Sequence, residues 1–204
     1  VKRLFKDELN WKNISFHAPD QAGTEDNFLI KKDKNPNSAG ASQILDLGRG
    51  AESMSEIVEK AKRGQLQGLF IFQHDLAKIF GADILKTIRQ KVKTIIFEGS
   101  NENATSQAAD FILPSAVYAE KEGTFTNFEG RVQRIRKAVE PIPSSKPTWE
   151  ILLQLSNGCG HPMKYERPEL IFNDLAKDNG AFKGLDYKKI GHQGVIWNKR
   201  SEGK

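Results

Sequence analysis

Three short apolar runs constrain the fold of this chain more than any other feature of the sequence. They lie at residues 69–72 (LFIF), 94–97 (TIIF) and 111–113 (FIL), and Pro114 stops the last one. Each run has strand length and lacks polar alternation, which indicates strands that are buried on both faces. Because helical patterns separate the runs, the sequence predicts an α/β fold with a parallel sheet covered by helices.

Helix signals fill the connections between these runs. Helical spacing from residue 54 to residue 61 predicts one helix, with Gly64 as its C-terminal cap. Asp75 is predicted to cap a second helix, which Gly81 ends. Further short helices are predicted over residues 83–90 and 101–109. Together these segments form the parallel α/β unit, which we place at residues 51–114.

The flanking regions are predicted to be irregular. Residues 1–50 are rich in Asn, Asp, Lys, Gly and Pro and form an irregular N-terminal segment. Residues 115–204 form a polar loop followed by a C-terminal helical tail, packed on the same domain. Within this region, residues 125–139 lack a clear period and are predicted to be mostly extended loop. Thr148 is predicted to cap one tail helix and Pro168 to begin another.

Composition and charge exclude several classes of function. A net charge of +5, from 31 Lys and Arg against 26 Asp and Glu, is modest and spread along the chain. Nucleic-acid binding is therefore not predicted, and docking onto acidic partner subunits explains the charge. No apolar run approaches the roughly 20 residues of a membrane span, so direct membrane insertion is not predicted. The chain opens on Val1, so we expect a longer parent polypeptide.

Cysteine and histidine usage argues against a metal site or cluster within these residues. The single Cys159 excludes an internal disulfide and a cysteine-ligated iron–sulfur cluster, and it fits a reducing cytoplasm. The four histidines lack metal-ligand spacing. His74 is the one candidate among them, because it follows the first predicted strand, where α/β sheets place ligands. A hydrogen-bonded or surface histidine is the alternative there.

The most specific pattern lies just after the third predicted strand. The strand reads ADFILP at residues 109–114, the polar loop reads AEKEGTFTNFEGRVQ at residues 119–133, and a proline-rich turn with PTWEI follows. This order resembles the molybdopterin oxidoreductase superfamily, and most closely the large iron–sulfur subunit of respiratory NADH:quinone oxidoreductase (complex I). Weaker similarity extends upstream to KKDKNPNSAGA at residues 31–41 and downstream over residues 167–198, so most of the chain is covered.

The resemblance implies a pterin-contacting loop at Thr124, Thr126, Asn127, Glu129 and Arg131. The loop could be vestigial, with its polar groups satisfying each other and the nearby backbone. Two features depart from the dinucleotide-binding relatives. The turn after the first strand reads Gln73, His74, Asp75 instead of carrying Gly and Asn, and no Gly-rich phosphate-binding motif is present. An acid, Glu98, does follow the second strand.

The basic run formed by Arg131, Arg134 and Arg136 has two interpretations. The arginines are either solvated or contact acidic groups of the parent subunit or of a neighbouring subunit. The sequence alone does not choose between these two interpretations.

The function that the resemblance implies is a non-catalytic scaffold within the large iron–sulfur subunit of complex I. No cofactor is expected in this chain, although molybdopterin remains possible, and iron–sulfur clusters belong to the missing upstream part. The partners implied are other hydrophilic-arm subunits and the upstream polypeptide, in the cytoplasm and peripheral to the inner membrane. One alternative is a fragment of a true molybdenum or tungsten oxidoreductase of formate dehydrogenase type. Another is a stand-alone interaction module.

Overall fold

The computed structural model describes residues 1–17, 25, 26, 28, 30–45 and 53–197. Eight α-helices and six strands are assigned within these residues, together with a π-helix at Lys2–Glu8 and two short 3-10 helices at Tyr118–Glu120 and Gly180–Phe182. The helices are α1 (Ser38–Leu45), α2 (Met54–Lys62), α3 (Leu76–Phe80), α4 (Ala82–Lys91), α5 (Ala104–Gln107), α6 (Thr148–Gly158), α7 (Pro168–Asp178) and α8 (Tyr187–Ile190). The strands are β1 (Gly68–Phe72), β2 (Thr94–Gly99), β3 (Phe111–Pro114), β4 (Gly123–Thr126), β5 (Arg131–Ile135) and β6 (Val195–Ile196).

The three predicted strands form a parallel sheet in the order β1-β2-β3. Phe70 pairs with Ile96 and Phe97 pairs with Ile112 across the sheet. Each crossover between neighbouring strands contains at least one helix, as parallel pairing requires. The α/β fold class with a parallel sheet is confirmed.

One face of the sheet packs against helix α2, which precedes β1, and helices α3 and α4, which connect β1 to β2. Its core joins the strand residues Ile71, Ile95 and Phe97 to residues of α2, α3 and α4, and every residue of this cluster is less than one-tenth exposed. Burying each large apolar side chain contributes about 1.5–3 kcal/mol, so this layer supplies much of the stability of the unit. Helix α2 begins with a reciprocal capping box between Ser53 and Glu56, which fixes where the layer starts.

The other face of the sheet is covered in part by the N-terminal segment. Phe5, in the N-terminal π-helix, lies 5.1 Å from Phe70 and 6.0 Å from Phe72 between ring centroids. A segment predicted to be irregular therefore supplies part of this cover. Burial is weakest at β3, where Phe111 is 60% exposed and Ile112 is 53% exposed. β3 is an edge strand, so its apolar side chains are not fully covered by the described residues.

A second core lies in the C-terminal half of the chain. Strands β4, β5 and β6 form an antiparallel sheet. Val132 of β5 packs with Phe172 of α7 and Tyr187 and Ile190 of α8 in one buried cluster. The prediction of extended loop over residues 125–139 is thus wrong at β5. Only Val132 in that strand is fully buried, which left too little alternation to reveal it. The proposed domain boundaries at residues 50 and 114 stay a prediction.

The N-terminal residues of helices α3, α7 and α6 can be compared with those that the sequence predicted. Asp75 caps α3 by accepting from the amides of Ala77 and Lys78 at 3.1 and 3.4 Å, as predicted. Pro168 occupies the first turn of α7, also as predicted. The prediction for Thr148 is wrong, because Pro147 is the N-cap of α6 and makes no side-chain cap. The Thr148 hydroxyl has a different partner, which lies at the edge of the parallel sheet.

Candidate functional site at the carboxyl edge of the parallel sheet

Polar side chains meet where the three parallel strands end. Gln73 follows β1, Glu98 lies near the end of β2, and Ser115 follows β3. Glu98 is completely buried and Ser115 is 3% exposed. This edge is where open α/β sheets bind their ligands, because the strand ends and their loops leave a crevice there. The geometry of these side chains therefore decides whether a ligand can be received.

Both carboxylate oxygens of Glu98 accept hydrogen bonds from this chain. The Thr148 hydroxyl donates to Glu98 Oε1 at 2.7 Å, and Gln73 Nε2 donates to Glu98 Oε2 at 3.3 Å. Gln73 Nε2 also donates to the Ser115 hydroxyl at 2.6 Å, and the Ser100 hydroxyl donates to Gln73 Oε1 at 3.3 Å. A buried carboxylate is costly without such donors, so these bonds stabilise Glu98 in place.

Lys121 contributes positive charge near Glu98. Its side chain is half-buried, and burial lowers the pKa of its ammonium group, while the negative charge of Glu98 opposes that shift. Lys121 lies two residues before β4, so it connects the edge of the parallel sheet to the predicted pterin loop. We call Gln73, Glu98, Ser115, Lys121 and Thr148 the Glu98 cluster.

Gln73 holds its side chain in the cluster through an unusual backbone conformation. Its φ is 59°, in the left-handed region that glycine and asparagine favour and that costs other residues roughly 1 kcal/mol. The turn thus has the conformation expected of a Gly- or Asn-bearing turn, although glutamine occupies it. The gain is a side-chain amide that reaches both Glu98 and Ser115.

His74, the predicted ligand-site histidine, is half-buried and lines a cavity beside β1. Its ring lies 5.8 Å from that of His17 between centroids. Burial lowers the pKa of His74 below its ordinary value, and the nearby His17 adds to that shift. Among the described residues, no group of three or more His, Cys, Asp or Glu side chains is arranged to hold a metal ion.

The predicted pterin loop is a β-hairpin whose turn is closed by Asn127. Asn127 Oδ1 accepts hydrogen bonds from the amides of Glu129 and Arg131 at 3.0 and 2.9 Å. Gly130 has a φ of 83°, and an added Cβ would overlap the indole of Trp197. This turn therefore needs both its asparagine and its glycine for structural reasons.

The hairpin also packs against the upstream motif. Thr126 is buried, and its backbone amide donates to Asn37 Oδ1 at 2.8 Å. A Cβ at Gly40 would lie 3.1 Å from the Thr126 side chain, so α1 approaches β4 closely. The two sequence motifs at residues 31–41 and 119–133 are thus brought together, which their separation of about 80 positions did not reveal.

The remaining predicted residues do not converge on one point. Thr124 pairs with Arg134 across the hairpin, Arg131 pairs with Ile196, and Glu129 is exposed in the turn. A pterin held by Asn127 Oδ1 would have to displace two backbone amides. In this conformation Asn127 Oδ1 serves the hairpin turn, and pterin contact by the five predicted residues stays a prediction.

The basic run is only partly solvated. The Arg134 guanidinium lies 4.3 Å from the centroid of the Tyr187 ring, while Arg136 is exposed beside His192. Arg134 Nε is buried and has no hydrogen-bond partner within the described residues. Burial raises the pKa of Tyr187 to about 12; the nearby Glu122 adds to this shift and Arg134 opposes it. Arg134 therefore belongs to the packing of the second core.

Sequence reasoning missed three members of the Glu98 cluster. Thr148 was predicted to be a cap, and Ser115 and Lys121 carried no prediction. Among these three residues, only Thr148 stood in a recognisable pattern, a threonine directly after a proline, and that pattern is equally typical of a helix start. These residues lie 17 to 50 positions from Glu98, so their convergence depends on the tertiary fold.

Comparison with known proteins identifies the family. The family model described as molybdopterin oxidoreductase matches residues 2–158, which is more than half of the chain. The chain belongs to the molybdopterin oxidoreductase family. A probable oxidoreductase of Bacillus subtilis is 30% identical over 151 residues, covering 73% of this chain and 15% of that protein. A protein provisionally named formate dehydrogenase, from Staphylococcus haemolyticus, is 29% identical over 144 residues, covering 70% of this chain and 15% of that protein.

Solved structures support the same fold. Acetylene hydratase from Pelobacter acetylenicus aligns with a TM-score of 0.54 at 12% identity, covering 76% of this chain and 24% of that enzyme. The chain thus spans about 15% of the length of the curated relatives and corresponds to one part of a molybdopterin oxidoreductase-family protein. None of the helices in the described residues is long and apolar enough to cross a membrane.

Proposed function

We propose that this chain is a non-catalytic scaffold portion of the large iron–sulfur subunit of respiratory NADH:quinone oxidoreductase. The observation that carries the proposal is the closed state of the two places where a ligand would bind. At the sheet edge, the chain's own side chains engage Glu98. At the hairpin, the chain's own backbone engages Asn127.

The geometry at Glu98 argues against a dinucleotide at the sheet edge. In dinucleotide-binding α/β proteins, an acid near a strand end accepts hydrogen bonds from ribose hydroxyls. Here Thr148 and Gln73 already donate to both oxygens of Glu98, and the carboxylate is fully buried. A ribose would have to displace Thr148 or Gln73 to reach this carboxylate. The cluster is better suited to fixing α6 and the β1 turn against the end of β2.

The resemblance at residues 109–155 directs this proposal toward complex I. Under this proposal, the upstream part of the polypeptide carries the iron–sulfur clusters. The present chain supports electron transfer from NADH to quinone in the assembly. The proposed partners are hydrophilic-arm subunits, peripheral to the inner membrane. The net charge of +5 suits an interface with acidic neighbours.

A pterin-binding portion of a formate dehydrogenase-like enzyme is the second candidate. The names of several curated relatives favour it, at 28–29% identity. It would require the hairpin turn to release Asn127, or a pterin to use other groups of Thr124 and Arg131. His74 would remain a candidate contact at the sheet edge under this function.

Cofactor analysis separates the two candidates. The longer polypeptide would be purified from its native host and assayed for molybdenum, tungsten, iron and fluorescent pterin oxidation products. The scaffold proposal expects iron without stoichiometric molybdenum, tungsten or pterin. Molybdenum or tungsten together with pterin would establish the second candidate instead. The 204-residue chain, purified in parallel, serves as the control and is expected to hold none of these metals.

A further inference from the structure

A large apolar cavity lies beside the edge strand β1. Its volume is about 700 Å³. It lies between the N-terminal residues, helices α1 and α2, and β1, and its walls include Phe5, Trp11, Ile44, Ile57 and Phe70. A cavity of this size can hold a short peptide segment or a small molecule. The parts of the fold around it indicate which of these it receives.

The position of β1 in the cavity wall indicates that the occupant is a peptide strand. β1 is an outer strand of the parallel sheet, and all five of its residues, Gly68–Phe72, line the cavity. Successive side chains of a strand point to opposite faces of its sheet. A cavity that touches all five residues therefore reaches around the outer edge of β1, where the backbone amides and carbonyls lie. Such an edge recruits another strand.

The charges around the cavity indicate which residues flank the apolar part of that strand. Lys2 and Lys12 line it, whereas none of its lining residues in the described part of the chain is an aspartate or glutamate. Lys12 is exposed, so its charge is available at the rim. An apolar segment that enters this cavity would gain from acidic residues next to it.

We propose that an extended segment of the parent polypeptide, apolar with an acidic flank, pairs with the outer edge of β1 and fills this cavity. The inference rests on the proposed function insofar as both place the chain within a larger subunit. The lengths of the relatives support this occupant: the matched region covers only 15% of each, so most of such a polypeptide lies outside these residues. The segment extends the parallel sheet beyond β1 and joins the two parts of the polypeptide.

Accessibility of the cavity provides the first test. The probe is 8-anilinonaphthalene-1-sulfonate, an apolar anion that suits apolar walls and a basic rim. We expect it to fluoresce strongly with the 204-residue chain and several-fold less per mole with the longer polypeptide. Trp11→Asp places a negative charge in the wall and should reduce the signal of the 204-residue chain. Phe128→Asp, at a similarly exposed aromatic residue in the hairpin turn, should leave it unchanged.

Hydrogen exchange of the unmodified proteins provides the second test and does not depend on how the variants fold. Amides of Gly68, Phe70 and Phe72, which alternate with the residues bonded to β2 and so face the outer edge, should exchange at least about tenfold more slowly in the longer polypeptide than in the 204-residue chain. Equal exchange in both proteins would overturn the proposal. An undiminished dye signal in the longer polypeptide would also overturn it and would indicate a small-molecule pocket. Concentration-dependent protection of β1 in the 204-residue chain would overturn it as well and would indicate that a second copy of the chain binds there. These readouts do not involve metals or pterin, so the proposed function can fail while this inference stands.

Discussion

Replacing Thr148 by valine tests whether the Glu98 cluster stabilises the fold. The substitution keeps the β-branched shape but removes the hydroxyl that donates to Glu98 Oε1 at 2.7 Å. Glu98 is fully buried, so its oxygen would lose a donor at a place that water does not reach freely. Hydrogen bonds to charged groups contribute about 1.5–3 kcal/mol, and we expect a loss of that size in the free energy of unfolding.

The measurement is urea unfolding of the 204-residue chain, followed by far-ultraviolet circular dichroism. For a chain of this length, the expected loss corresponds to a melting temperature lower by about 3–12 °C. Thr87→Val is the matched control, because that hydroxyl donates to the Asp83 carbonyl oxygen within α4 at an exposed position. The control should change the free energy of unfolding by no more than about 0.5 kcal/mol.

An equal effect of the two valine substitutions would refute the reasoning. It would mean that Glu98 is satisfied without Thr148, by solvent or by movement of Lys121. The sheet edge would then be open enough to admit a ligand, and the scaffold proposal would lose the observation that carries it. A loss confined to Thr148→Val would support the cluster as the link between α6 and the parallel sheet.

Three further predictions follow from the same geometry. Arg134→Ala should lower the free energy of unfolding by about 1 kcal/mol, because the Arg134 guanidinium stacks on Tyr187. The exposed Arg136 is the control, and Arg136→Ala should leave the free energy of unfolding nearly unchanged. Equal denaturation midpoints for the two variants would place both arginines in solvent. The pKa of His74 lies below its ordinary 6.5, mainly because of burial. The unfolded chain therefore takes up that proton first, and the contribution to stability is complete above pH 6.5 and is lost as the pH falls below it. His74→Asn should flatten this part of the stability profile, and an unchanged slope would contradict the assignment. The 204-residue chain should not oxidise NADH with an artificial electron acceptor, measured against a heat-denatured control; measurable turnover would rule out the scaffold role.

The half-buried Trp149 shows how a sequence signal can overstate burial. A tryptophan after a proline turn, with apolar residues behind it in the helix, is typical of a core anchor, and truncating a fully buried one costs roughly 3–5 kcal/mol. In the structure Ile151 is the buried residue of that turn, and Trp149 is only partly covered. The helix pattern gave the apolar face, but the depth of burial depended on neighbours that the local sequence does not name.

The sequence by itself determined the parallel unit of this protein and its family. Strands β1, β2 and β3 are short apolar runs, and the Asp75 cap and Pro168 are local signals, so the physics that forms them acts within a few residues. The polar motif at residues 119–133 is likewise contiguous, which is why it identified the family without a structure.

The tertiary structure decided what those motifs do. Thr148 and Gln73 meet at Glu98, and Ser115 meets Gln73, only because three parallel strands end at the same edge and α6 returns to it. Asn127 serves the hairpin turn, and Thr126 is buried against α1, because β4 and β5 pair and pack there. Hydrogen bonds of this kind join residues far apart in the chain. Whether a polar group serves a ligand or its own fold was therefore settled by long-range packing, which local sequence patterns do not encode.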